Sequence, residues 1–407
     1  FNEHKTEIKV EDDIEEQSNK LCNKDFELLP HQNFVKNFLS KNTPYNGLLL
    51  YHGLGTGKTC SAISIAEETR IYSKYSGLSS KIIIVASPNV QENFKLQLFD
   101  PRKLEYKNGS WNLNNCVGNS MLSEINISVN KLSRENIVKM VMSTINKYYT
   151  FMGYIEFANY IMKSSNISAY TKLSKAKEIN LVRNKLEKTF KNSLIIIDEI
   201  HNIRSTDSKN KLVAKQFSRL VDYVKNLKLV LLSATPMYND FREIIYLINI
   251  LNKNDNRSEI DIKDVFDKHG NFITDSNGNE IGKKLFRRKI NGYISYIKGD
   301  NPLTFPYRIM PEIFSEKSIK KISYPTTQIT EKPIKQAISK LDIYTSNISE
   351  YQEKIYNFIV KNILKKIKEQ NKTGDIEQLD QIGYIYLQKP IEALNFCYPH
   401  KDIDKDI

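Results

Sequence analysis

Four short apolar runs constrain this chain more than anything else in it: LLLY at 48–51, IIIV at 82–85, LIII at 194–197 and LKLVLL at 227–232. Each has the length of a strand and, Lys228 aside, is apolar on both alternating faces, so each must be covered above and below. Each ends in glycines, hydroxyls or acids and is followed by a stretch with helical spacing. That alternation predicts an α/β fold built on a doubly wound parallel sheet, with ligands bound where the polar clusters gather at the carboxyl ends of the strands.

The first run breaks into GLGTGKTC. Gly53, Gly55 and Gly57 stand at alternate positions, Lys58 and Thr59 follow, and an alanine-containing helical segment begins. Strand, glycine loop and helix together make the phosphate-loop reading. Glycines let successive N–H groups converge on phosphate oxygens, and the helix dipole adds positive field. Lys58 supplies a mobile charge for β- and γ-phosphates, and the Thr59 hydroxyl is a ligand for Mg²⁺. The expected nucleotide contacts are Gly53, Gly55, Thr56, Gly57, Lys58, Thr59 and Cys60. The strict motif asks for glycine at 52, where this chain has His52. Read alone, a glycine-rich turn needs no ligand.

The third run ends in Asp198 and Glu199, two carboxylates at the edge of a buried strand, which are costly there unless something positive faces them. Mg²⁺ on a nucleotide would do so, with Asp198 holding the metal and Glu199 orienting and deprotonating the attacking water. The plainer alternative is that both acids cap the following helix. After the fourth run, Ser233 and Thr235 offer two hydroxyls to the neighbouring acids or to His201, or else serve as an ordinary helix cap.

Elsewhere the chain is less explicit. At 407 residues it can hold two or more domains. The net charge of +13 implies a polyanionic partner, although lysine, isoleucine and asparagine are abundant throughout, as an AT-rich gene would make them. Cys22, Cys60, Cys116 and Cys397 make no C-x-x-C and the histidines no cluster, so neither a zinc site nor a disulfide framework is expected. No apolar run approaches the roughly 18 residues of a membrane helix. Residues 1–25 read as an acidic flexible arm. Residues 26–251 read as one nucleotide-binding domain with insertions at about 101–146 and 163–192, and 252–310 as an insertion or linker. Within that linker, NFITDSNGNEIG suggests a hairpin at Asn277-Gly278, and its acids lack the spacing of a calcium loop. SEYQ at 349–352 opens an amphipathic helix with a capping box.

Order and spacing join these pieces. LPHQ, LLLYHGLGTGKT, ASPNVQENF, DEIH and SATP form the sequential set of a superfamily 2 helicase-like ATPase. With YTFMGYIEFAN and ISYIKGDNPLTFPYRI, the chain resembles the Swi/Snf-like helicases of large cytoplasmic DNA viruses, the group that includes the poxvirus early transcription factor small subunit and nucleoside triphosphate phosphohydrolase I. The resemblance covers residues 26 to about 400 and implies RecA-like domains, ATP and Mg²⁺. By it, Gln32 reads the adenine edge and Phe26 stacks on the base. His201, Ser233 and Thr235 relay hydrolysis to movement, and Ser87, Pro88, Asn89 and Asn93 contact a nucleic-acid backbone, with bases stacking on aromatics near Phe151 and Tyr154 or those aromatics serving as core. The implied partners are nucleic acid, DNA more than RNA, and a viral RNA polymerase or transcription factor. The implied location is the virion and host cytoplasm, with no membrane.

One departure stands out. A complete motor of this kind ends in Gln-x-x-Gly-Arg-x-x-Arg, and no Gly-Arg pair occurs here. Residues 311–407 are therefore expected to be the beginning of a second RecA-like domain, or the missing half comes from another chain. Three functions stay open: a motor in viral transcription, a replicative or RNA-processing helicase, and a non-catalytic binding subunit built on the helicase fold.

Overall fold

The computed structural model describes residues 14–22, 27–78, 80–125, 132–166, 175–203, 210–225, 227–237, 240–297, 319–326, 333–334, 342–370 and 384–399. The chain divides into two units, Phe1–Pro306 and Tyr307–Ile407.

The first unit begins with α1 (Ile14–Cys22), inside the arm expected to lack structure. Glu15 and Glu16 lie in its first turn and Lys20 pairs with Glu16 at 2.9 Å, one helical turn apart. Acids at a helix start and an i,i+4 ion pair stabilise even a polar helix. After α2 (Pro30–Phe38) come β1 (Gly47–His52), α3 (Lys58–Ser76), β2 (Ile82–Val85) and α4 (Pro88–Leu98). A hairpin of β3 (Leu104–Lys107) and β4 (Ser110–Leu113) follows, then α5 (Ser120–Ile125), α6 (Arg134–Tyr148), β5 (Tyr149–Met152) and α7 (Tyr154–Ser164). Next are α8 (Lys175–Phe190), β6 (Leu194–Ile197), α9 (Asn210–Tyr223), β7 (Lys228–Ser233), α10 (Glu243–Asn254), α11 (Ile262–Val265), α12 (Ile281–Ile290) and β8 (Ile294–Ile297).

Six strands form one sheet in the order β5-β2-β6-β7-β1-β8, and every pairing in it is parallel. This is the doubly wound parallel sheet that the four runs predict. Their alternation splits the core in two. Leu49, Ile83, Val85, Ile195, Ile197, Leu229 and Leu231 meet α7 to α12 on one face. Leu48, Leu50, Ile82, Ile84, Leu194, Ile196, Val230 and Leu232 meet α2, α3, α4 and α6 on the other. Each such side chain taken out of water contributes about 1.5–3 kcal/mol, which is why the strands need no polar face. The lysine-rich α8 also enters the first of these cores through Val182, Leu186 and Phe190.

The sheet does not stop at residue 251. β8 pairs in parallel with β1 on its outer side, Leu50 opposite Ser295 and His52 opposite Ile297. Residues 281–297, expected to be linker, are thus a helix and strand of the first unit. Between them and α10, no hairpin forms at Asn277-Gly278. Two tight turns, DKHGN at 267–271 and DSNGN at 275–279, repeat one pattern instead. Asp267 Oδ1 accepts from the N–H groups of His269 and Asn271, and Asp275 Oδ1 from those of Asn277 and Asn279, all at 2.8–2.9 Å.

In the second unit β9 (Ile319–Ile322) and β10 (Ile343–Ser346) pair antiparallel, and α13 (Glu350–Gln370) packs with α14 (Tyr384–Asn395). The capping box at Ser349 forms: Gln352 N–H donates to Ser349 Oγ at 3.2 Å and Ser349 N–H to Gln352 Oε1 at 3.3 Å.

Candidate nucleotide-binding site

The carboxyl ends of four adjacent strands carry the polar clusters. In sheet order, β2 leads through Ala86 to Ser87, β6 leads to Asp198, β7 ends at Ser233 and β1 leads into the glycine loop. The sequence scatters these groups over some 180 positions, and the parallel sheet sets them side by side.

The loop itself is built on left-handed backbone. Gly55 has φ +78° and Gly57 φ +74°, and Gly57 is the N-cap of α3. A side chain at 57 would also place its Cβ 2.4 Å from Gln32 Nε2. Lys58 folds back over the loop, its Nζ donating to the carbonyls of His52 at 3.0 Å and Gly53 at 3.2 Å. Thr56, nearly buried, donates through Oγ1 to Gly53 O at 2.8 Å. From α2, His31 Nε2 donates to Thr56 O at 2.9 Å and Gln32 Nε2 to Gly57 O at 3.2 Å. Gln32 Oε1 meanwhile accepts from Leu29 N–H at 2.8 Å. Gln32 therefore touches the loop, with its amide engaged at both ends, while Phe26 lies outside the described residues.

Cys60 corrects the expectation that the cysteines form no disulfide. Its sulfur is bonded to Cys116, in the segment before α5. The two stand 56 positions apart, a spacing with no signature of its own. Only the backbone N–H of Cys60 is left to face an anion.

Asp198 is 8% exposed. Burial, reinforced by the charge of Glu199, pushes its carboxyl up to about 6, against which the Glu199 backbone hydrogen bond and the charge of Lys58 act. Glu199 sits at φ +44° as the N-cap of a short 3₁₀ turn, Ile200–Asn202. That left-handed bend, uncommon for a residue with a side chain, brings Glu199 Oε2 within 3.2 Å of His201 Nδ1. The same Nδ1 lies 2.9 Å from Ser233 Oγ, which also accepts from Thr235 N–H at 3.0 Å. Of the two hydroxyls after the fourth run, that of Ser233 thus meets His201, while Thr235 joins it through its backbone N–H. Tyr154 donates its OH to Asp198 O at 2.8 Å, a contact that sequence reasoning missed. Its ring packs against the core, and Phe151 lies under Lys95 at 5.4 Å. At the end of β2, Pro88, Asn89 and Asn93 are exposed on α4 while Ser87 is half-buried as its N-cap. A cavity of about 850 Å³ opens beside His201, lined also by Ile203, Pro236, Tyr246 and Ile260, and neither Lys58 nor Asp198 lines it.

The description of the SNF2-related domain matches residues 31–288, more than half of the chain. The chain belongs to the SNF2-related family. The match runs from the start of α2 into α12, so it takes in the whole loop, the two acids and the Ser233 hydroxyl. The chain is 29% identical over 321 residues to protein L377 of Acanthamoeba polyphaga mimivirus, whose name provisionally calls it an ATP-dependent RNA helicase; that match covers 73% of this chain and 25% of the relative. It is 23% identical over 304 residues to the early transcription factor 70 kDa subunit of Melanoplus sanguinipes entomopoxvirus, covering 74% of this chain and 35% of that one. A solved structure, the Sulfolobus solfataricus SWI2/SNF2 ATPase core in complex with dsDNA, matches with TM-score 0.37 and 16% identity, covering 94% of this chain and 60% of that one. The chain spans about a quarter of the first of these relatives. Among the described residues no helix is long and apolar enough to cross a membrane.

Proposed function

We propose that this SNF2-related domain is the nucleotide-binding half of an ATP-dependent motor on nucleic acid, serving viral transcription. One observation carries the reading: a lysine-bearing glycine loop and an acid pair, the buried Asp198 and the half-exposed Glu199, stand at the carboxyl ends of strands of one parallel sheet. Mg·ATP fits these residues. A carboxyl as buried as Asp198 wants a cation, Lys58 is held by carbonyls it can exchange for phosphates, and Thr59 opens α3 where an anion is favoured. Among the described residues no cluster of three or more His, Cys, Asp or Glu stands ready for a metal. That suits Mg²⁺, which binds through one or two carboxylates plus phosphate oxygens and water. Asp198 and Thr59 would hold it.

Bound Mg·ATP would supply the scissile phosphoryl group and the countercharge for Asp198. The chain's own residues do the rest. Lys58 turns from the His52 and Gly53 carbonyls to the β- and γ-phosphates. Glu199 orients water and takes its proton at a carboxylate oxygen. His201 Nδ1–H, facing both Glu199 and Ser233, ties the state of that acid to the end of β7. Gln32 and Phe26 are assigned to the base, and Ser87, Pro88, Asn89 and Asn93 to the nucleic-acid backbone, DNA more than RNA. A viral polymerase or transcription factor is the partner this reading names, and the virion and host cytoplasm its location.

Residues 311–407 are assigned to the start of the second motor domain. The arginines that stabilise the γ-phosphoryl transition state belong to the remainder of such a domain. Their loss is worth about 10³–10⁵ in rate, so residues 1–407 alone should bind Mg·ATP weakly and turn it over negligibly, with no stimulation by nucleic acid. A second reading, a binding subunit without turnover, draws on the absence of any Gly-Arg pair.

The test is ATPase and nucleotide affinity of the protein extended through a second domain, with duplex DNA, single-stranded DNA and RNA. Lys58→Ala should weaken nucleotide binding, and Glu199→Gln should keep binding and lose about 10² or more in turnover. DNA affinity should fall steeply between roughly 50 and 200 mM salt. Wild-type rates in both variants would overturn the assignment.

A further inference from the structure

His52 stands where a phosphate loop of the strict pattern has glycine, and the structure gives it a specific set of contacts. Its side chain is fully buried. The ring shares a 2.8 Å hydrogen bond through Nε2 with Ser295 Oγ on β8 and meets the ring of His31 edge-on, centroids 5.8 Å apart. Its carbonyl is one of the two that hold Lys58. Its Nδ1 is buried without a hydrogen-bond partner. A polar atom left so has given up its hydration without a replacement partner and is destabilising. Glycine would carry no such penalty, so the histidine sits in the sheet at a cost. What the cost accompanies is a link between the last strand of the first unit and the first residue of the loop.

We propose that the His52–Ser295 hydrogen bond is the positioning element of the phosphate loop, clamping its first turn to β8 and so fixing the carbonyls of His52 and Gly53 that hold Lys58 ready for phosphate. The inference rests on the nucleotide reading of the site and names a residue pair that the motif does not contain. β1 is hydrogen-bonded to β8 along its outer edge, and Gly53 N–H continues that ladder by donating to Ile297 O at 3.0 Å. The backbone therefore ties the loop to β8 on one side, and His52 adds a side-chain tie across the same pair of strands. With both in place the loop is pre-organised and nucleotide need not pay to order it. Burial, with the charges of His31 and Lys58, keeps the His52 ring neutral, pushed down to about 3, so the tie persists across physiological pH.

The experiment measures Mg²⁺-dependent binding of a fluorescent ATP analogue, alongside the melting temperature, for wild type, Ser295→Ala, His52→Gly, the double variant and His52→Gln. Losing one neutral hydrogen bond that organises the loop should weaken affinity about three- to tenfold. Ser295→Ala and His52→Gly should each do so, the double variant no more than His52→Gly alone, and His52→Gln, whose amide reaches a similar position, should recover most of it. Should His52→Gly fail to fold, Ser295→Ala and His52→Gln carry the comparison. Unchanged affinity in Ser295→Ala, or effects of the two residues that simply add, would overturn the inference, as would a fall in melting temperature without a change in affinity. A wild-type chain that binds no Mg²⁺-nucleotide would instead overturn the reading of the site beneath it.

Discussion

His201 and Ser233 meet at 2.9 Å, imidazole Nδ1 to hydroxyl Oγ, across the ends of neighbouring strands β6 and β7. The two residues come from separate motifs, and their contact connects the acid pair to the segment that follows β7. Ser233 is fully buried and also receives Thr235 N–H, so a change at one partner is felt by the other. Ser233→Ala should lower nucleic-acid-stimulated turnover by about tenfold, the worth of one hydrogen bond at the strong end of the range, while nucleotide affinity moves much less. Steady-state ATPase with and without DNA in the extended protein checks this; equal loss of affinity and turnover would place Ser233 in the nucleotide pocket instead.

Gly57 combines a left-handed φ of +74° with a Cβ position 2.4 Å from Gln32 Nε2. Gly57→Ala should therefore cost about 1–3 kcal/mol of stability and dislodge Gln32 from the loop. Chemical denaturation gives the first effect and nucleotide titration the second. Gly77→Ala is the internal comparison, since its φ of +67° is similar but nothing lies within 4 Å of the added carbon; it should lose stability and keep affinity.

The bond between Cys60 and Cys116 closes a loop of 56 positions. On chain-entropy grounds such a closure stabilises by up to about 4 kcal/mol. Melting with and without a thiol reductant should show a drop on reduction, and the Cys60→Ser, Cys116→Ser double variant should match the reduced wild type. Because Cys60 directly follows Thr59, nucleotide affinity is the readout to take beside it.

His52 gives an acid limb to stability. Its folded-state value, about 3, lies below the ordinary 6.5, so below 6.5 the unfolded chain binds the proton that the folded chain refuses. Stability from this group is full above about pH 6.5 and declines as pH falls toward 3. Asp198 slopes the other way between about 4 and 6, since its folded value is raised. Between pH 7 and pH 5 the denaturation midpoint should therefore fall further for the wild type than for His52→Gln.

How far the sequence speaks follows from what each segment needs. Ile82–Val85 and Leu194–Ile197 are strands over the residues expected, and β7 is displaced by one, because a run apolar on both faces has nowhere else to go. The loop, the acids and the hydroxyls stand at the ends of neighbouring strands, as their places directly after the apolar runs imply. Other features carry weaker marks. ISYI at 294–297 is an edge strand, half-exposed and aromatic, and reads as easily as linker. Asn108-Gly109, at φ +53° and +77°, makes the β3–β4 turn, a signal as plain as Asn277-Gly278 and passed over inside an asparagine-rich stretch. At Asn277-Gly278 the same dipeptide makes no hairpin, since Asp275 captures the turn through its own carboxylate. Contacts across the fold, such as His52 with Ser295 and Tyr154 with Asp198, depend on strand order, which no local pattern encodes.

The pairing of β8 with β1 decides where this domain can be divided. A cut at residue 251, the domain boundary that the sequence suggests, would leave the loop and acids covalently intact and still turn β1 into the border of the sheet. Leu49 N–H, which donates to Tyr293 O at 2.7 Å, and Gly53 N–H, which donates to Ile297 O, would lose their acceptors. A bare strand of leucines is a template for another chain, so such a piece would self-associate through the very strand that presents Lys58. The smallest portion able to keep that strand to itself runs through residue 297.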